Sequence, residues 1–142
     1  MCLDLSQIKN KPRKVFNTSW YEALKKNGKI TCYKILEKIK GNLESPYYPM
    51  PYQPGWNKSN RKMVDISDKN INCMFVSRGI HVYRNKREAG RKAAKLTVFY
   101  NNNYVVVPVT CYLKDLVAMG KYSEAVFMKV FLKKTDHDNA IN

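Results

Sequence analysis

Lys29-Ile30-Thr31-Cys32-Tyr33-Lys34-Ile35-Leu36, bounded by Gly28 and Gly41, is the stretch on which the fold turns. Its β-branched and aromatic residues suit a pleated, half-buried surface, so it reads as a strand. On its N-terminal side, Thr18 or Ser19 caps a short helix from Trp20 to Lys26, because Glu22 stands three residues beyond Ser19 in capping-box spacing. Asn27-Gly28 ends that helix. On the C-terminal side, residues 41–60 hold four prolines. Their missing N–H groups exclude an interior helix or a central strand, and the segment reads as a long ordered loop rich in Tyr and Trp.

Further out, residues 64–66 read as a short edge strand, 71–76 as a strand closed by Ser77-Arg78-Gly79, and 80–83 as extended chain. Asn85 is a good N-cap for a helix from Lys86 to about Lys95, with Ala89, Ala93 and Leu96 on one face. Residues 97–100 and 104–109 flank Asn101-Asn102-Asn103 and predict a hairpin, since asparagine tolerates positive φ. Residues 113–118 read as a short helix or turn, 125–132 as a final strand, and the polar KKTDHDNAIN tail as frayed. Helices bracket runs of strands rather than alternating with them. That order predicts an α+β single domain with a largely antiparallel sheet, two or three short helices and the long proline-rich aromatic loop. The expected boundaries are a basic arm at 1–14, the domain at 15–134 and a polar tail at 135–142.

Twenty-six Lys and Arg oppose eleven Asp and Glu, a net charge of +15 on 142 residues. Self-repulsion of this size is relieved by a polyanionic partner, whereas a 44% hydrophobic composition excludes a disordered chain. Cys2, Cys32, Cys73 and Cys111 include no C-x-x-C pair, so no metal site is expected. Three of them lie in apolar runs as buried reduced thiols, which fits the cytoplasm. The sequence contains neither a leader-like apolar segment nor a run long enough to cross a bilayer, and no membrane association is expected.

The densest charge lies between Arg78 and Lys95, where Arg78, Arg84, Lys86, Arg87, Arg91, Lys92 and Lys95 meet only Glu88. On the expected helix, Arg87, Arg91 and Lys95 recur every four residues, opposite the alanine face and suited to successive phosphates. The proline-rich loop mixes Tyr47, Tyr48, Tyr52 and Trp56 with Lys58, Arg61 and Lys62. Tyr48, Tyr52 and Trp56 are therefore candidate stacking or anchoring groups beside three more phosphate ligands, or else a cover for the core. The two histidines, His81 and His137, form no cluster, and no hydrolase triad, H-E-x-x-H, P-loop or dinucleotide fingerprint is present.

The succession Tyr33-Lys34-Ile35-Leu36, Gly79-Ile80-His81-Val82-Tyr83 with Ala89, and Glu124 opening the last strand resembles ADP-ribosyltransferase-like folds. The resemblance implies NAD as cofactor and places catalysis at Lys34, His81 and Glu124. Lys34 stands where that family has His or Arg, and His81 where it has Tyr or Ser. The segments CYKIL, SPY, PGWN, GIHVY and VVPVTCYL also resemble small phage- and prophage-encoded proteins. That second likeness implies a basic binding protein in the host cytoplasm that engages nucleic acid or a host nucleoprotein complex, as an anti-CRISPR-like inhibitor of a defence nuclease does. It requires no cofactor.

Overall fold

A computed structural model of the 142-residue chain describes residues 3–4, 14–15, 18–46, 50–59, 65–68, 73–76, 79–120 and 123–142. Within them the strands are β1 (Leu3–Asp4), β2 (Lys14–Val15), β3 (Lys29–Ile39), β4 (Asn42–Glu44), β5 (Pro51–Tyr52), β6 (Gly55–Lys58), β7 (Asp65–Asp68), β8 (Cys73–Val76), β9 (Ile80–Tyr83), β10 (Tyr104–Tyr112), β11 (Leu116–Met119), β12 (Glu124–Phe127) and β13 (Lys129–Leu132). The helices are α1 (Thr18–Asn27), α2 (Lys86–Tyr100) and α3 (Lys134–Ile141). The architecture is α+β. Its principal sheet runs β2-β11-β12-β9-β3-β10-β13-β6, antiparallel except between β11 and β2, while β1, β8 and β7 form a small sheet of their own.

One connection dictates the shape of the main sheet. β12 and β13 are separated in sequence by Met128 alone, yet three strands stand between them in the sheet. Laid flat, four strand spacings would part them by about 19 Å, whereas one intervening residue spans roughly 7 Å. The sheet therefore curls until its two flanks nearly meet. Its inner face carries Cys32, Leu36, Ile80, Val82, Val107, Val109, Ala125, Phe127, Val130 and Leu132, all buried in one cluster. Trp20 and Leu24 from α1, Leu43 from β4, Tyr52 from β5, and Ala140 and Ile141 from α3 complete that core. On the outer face, Ala89, Ala93 and Leu96 of α2 pack over Ile35, Tyr83, Tyr33, Tyr104 and Val106.

The β3 strand runs as expected, paired with β10 from Lys29↔Tyr112 to Glu37↔Tyr104. Gly28 closes α1 at φ 72°, where its N–H reaches Leu24 O at 2.8 Å. Other expectations are corrected. The helix begun at Asn85, whose side chain accepts the Arg87 N–H at 2.8 Å, continues to Tyr100 instead of ending near Lys95. Thr97 to Tyr100 are thus helical, and Asn101, at φ 54°, caps the helix by donating to Thr97 O. Docking of Leu96 and this left-handed cap outweigh the strand preference of four residues.

The run 125–132 is two strands because Met128 leaves the ladder. Its N–H goes to Asp115 O at 2.8 Å, and its carbonyl accepts from Ser59 N–H at 2.9 Å. Residues 113–118 divide into a 3₁₀ turn at Leu113–Asp115 and the start of β11. The tail is the ordered helix α3, in which His137 is buried and Lys134 bridges Asp138 at 2.6 Å. That bridge, with His137, lowers the Asp138 pKa. Within the proline-rich segment, β4 and β5 extend the β3 side and β6 lies at the open edge beside β13, so proline is kept out of the sheet's centre there. Cys32 and Cys111 are buried free thiols, and burial followed by the Cys32 contact raises the Cys111 pKa.

Candidate nucleic-acid interface

The alanine face of α2 determines what its other face presents. With 100° per residue, Ala89, Ala93 and Leu96 fix one side against the sheet, and Arg87, Arg91, Lys95 and Val98 share the opposite side. All four are exposed, Val98 by 86%. Among the described residues, Arg87, Arg91 and Lys95 have no carboxylate partner. Successive cations therefore rise along the helix at about 6 Å intervals. Exposed Phe99, at 80%, and Tyr100 pack edge to face at the end of this row.

Neighbouring cations differ. Arg84 is exposed, and its guanidinium donates to Ser19 Oγ at 3.1 Å. Lys92 lies on the flank of α2, close enough to Glu124 to oppose the rise that burial imposes on that carboxyl, so it faces an acid of its own chain and does not belong to the free row. Glu88 accepts a hydrogen bond from Ser123 Oγ, which draws the single acid of this segment away from the arginines. Lys58 is exposed on β6. Arg61, Lys62, Arg78 and Tyr48 lie outside the described residues.

The aromatic candidates separate cleanly. Tyr52 is 1% exposed in the inner core, where burial raises its pKa, so it is a core residue and not a stacking or anchoring group. Trp56 is 48% exposed on the edge strand and does not cover the core. Its ring lies 5.2 Å from Tyr112 and 5.3 Å from Phe131, the latter edge-on. Lys129 Nζ stands 4.6 Å from the indole centroid, and Lys114 Nζ 5.9 Å from it and 5.8 Å from Tyr112. These are cation–π distances.

Tyr112, Phe131, Lys114 and Lys129 were not among the sequence candidates. Alternation in β13 carries a signal for two of them, since Val130 and Leu132 are buried while Lys129 and Phe131 are more open. Their meeting with Trp56 depends on strand pairings between residues far apart in sequence.

Lys34 does not share a face of the sheet with His81 and Glu124, although it lies near enough to His81 to repel its charged form. Strand alternation places Lys34 with Cys32 and Leu36 on the inner face, opposite Val107. Glu124 pairs with Tyr83 on the outer face. Burial lowers the Lys34 pKa to about 8. His81 alternates away from Ile80 and Val82, and both its ring nitrogens are buried without a hydrogen-bond partner. Burial, with Lys34 adding repulsion, lowers its pKa to about 3. Burial raises the Glu124 pKa, against the opposing pull of Lys92 and of the hydrogen bond from Tyr83.

No helix among the described residues is long and apolar enough to cross a membrane, and no group of three or more His, Cys, Asp or Glu is gathered there for a metal. Comparison with family models, with characterised proteins and with solved structures finds no match.

Proposed function

We propose that this chain is a basic binding module that engages nucleic acid, or a nucleoprotein complex, through the outward face of α2. The observation that carries this function is the row Arg87, Arg91 and Lys95, exposed together and unpaired by acids among the described residues. Like charges one turn apart destabilise a helix by about 0.2–0.5 kcal/mol per pair. Phosphates laid along the row reverse that repulsion and release condensed counterions. The resemblance to small phage-encoded proteins supports an inhibitory role against a host defence nuclease, in which the basic face competes for the nucleic-acid path of the target.

Exposed Val98 and Phe99 favour a nucleoprotein over bare nucleic acid, because they add an apolar contact at the end of the phosphate row. Replacing both by Ser is expected to weaken binding to a nucleoprotein target and leave affinity for naked oligonucleotide unchanged.

The test is the salt dependence of binding, followed by fluorescence anisotropy of a labelled duplex. Each phosphate contact contributes about 0.9 to the slope of log affinity against log salt. The Arg87→Ala, Arg91→Ala, Lys95→Ala variant is therefore expected to lower the slope by about 2–3. An unchanged affinity and slope would overturn the assignment of α2.

A further inference from the structure

The geometry points to a second binding site, on the outer face of β10, β13 and β6, that stacks the unpaired bases of a single-stranded polynucleotide on Trp56 and Tyr112. It extends the polyanion reading from charge to base, and rests on that reading only for the choice of ligand class.

The site is an extension of the sheet face that α2 covers. Tyr104 and Val106 pack beneath the helix, and Thr110 and Tyr112 follow on the same side of β10. Thr110 pairs with Phe131, which pairs with Trp56, and Lys129 pairs with Lys58. Lys29 stands opposite Tyr112. Alternation thus collects Trp56, Phe131 and Tyr112 on one outer surface, with Lys29, Lys58 and Lys129 around them and Lys114 reaching in from the adjoining turn.

The rings are held before any ligand arrives. Phe131 meets the indole at 76° and Tyr112 at 45°, so Trp56 is buttressed by its neighbours while half its surface stays open. Little ordering remains to be done on binding. The chemistry around the rings selects the occupant. An apolar protein anchor seated here would desolvate ammonium groups without supplying acceptors for them. A nucleotide alternates a planar base with a phosphate, which matches ring faces interleaved with lysines. On binding, Lys129 leaves the indole face to a base and takes the adjoining phosphate. A duplex keeps its base faces inside its own stack, so the ligand must be single-stranded.

Tryptophan fluorescence provides the readout. Trp20 is wholly buried and Trp56 is open, so quenching by a bound base reports Trp56. Oligo(dT) and oligo(rU) are each expected to quench, and the stronger of the two identifies DNA or RNA as the preferred strand. A duplex of equal length and inorganic polyphosphate are expected to bind without equivalent quenching. Trp56→Ala should weaken single-strand binding roughly 5- to 150-fold, the range for one lost stacking partner. Tyr112→Leu is a second variant that leaves the fluorophore in place and should reduce the affinity in the same direction.

Equal quenching by polyphosphate, or unchanged single-strand affinity in both variants, would overturn the site. Its fate is separable from that of the α2 row. If only the row is wrong, the triple α2 variant binds oligo(dT) like the parent and quenches fully. If only this site is wrong, the parent binds nucleic acid with the expected salt slope and no base-dependent quenching.

Discussion

Lys34→Met is expected to stabilise the protein at neutral pH. Lys34 is 6% exposed, beside Cys32 and Leu36 in the inner core, and its pKa falls from 10.5 to about 8 because burial disfavours the ammonium. Below pH 8 the side chain is charged in both the folded and the unfolded chain, and the fold bears the whole cost of burying it. A displacement of this size corresponds to about 3 kcal/mol. Between pH 8 and 10.5 the unfolded chain holds a proton that the folded one has lost, so this group makes stability rise with pH across that window. Methionine keeps the unbranched shape and removes the charge.

The variant should gain on the order of 2 kcal/mol at pH 7, equivalent to a melting temperature several degrees higher. The gain should shrink toward zero above pH 10. Urea unfolding of both proteins, followed by circular dichroism at pH 7 and pH 9.5, gives the difference directly, and subtracting one protein from the other cancels every other titrating group. A gain that is absent at pH 7, or that does not diminish at the higher pH, would refute the burial argument.

His81, lowered from 6.5 to about 3, acts at the acid end. As pH falls below 6.5 the unfolded chain takes up a proton that the folded chain refuses, so stability should fall by up to about 1.4 kcal/mol per pH unit until pH 3. His81→Leu should flatten that loss in acid unfolding curves. Gly90 lies exposed in mid-α2, and a Cβ added there meets nothing within 4 Å. Gly90→Ala should therefore raise stability by about 0.5–1 kcal/mol in the same unfolding assay.

What the sequence discloses here is local. The strand begun at Lys29 and read as far as Leu36, the cap at Asn85 and the docking of Ala89, Ala93 and Leu96 each follow from neighbouring residues, and with them the outward row of Arg87, Arg91 and Lys95. The extension of α2 to Tyr100 depends on tertiary docking of Leu96 and on an asparagine that also suits a hairpin turn, so local propensity pointed the wrong way. The break at Met128 was hidden because its partners, Asp115 and Ser59, are remote in sequence. The same holds for the aromatic surface. Trp56, Tyr112 and Phe131 are brought together by β6-β13-β10 pairing, and no short window of sequence contains two of them. Tyr52 and Trp56 looked alike in one loop, yet β5 turns one into the core while β6 leaves the other at the edge.

The most direct test of the α2 interface is nuclear magnetic resonance of the arginine side chains, with the Nε–Hε signals of Arg87 and Arg91 assigned by single Arg→Lys variants. Titration with a short duplex and with oligo(dT) should move these two signals first and furthest, with the backbone amides of Lys95 and Val98 following. If both ligands bind while those signals stay fixed, or if neither ligand binds at low salt, α2 is not the surface that meets nucleic acid.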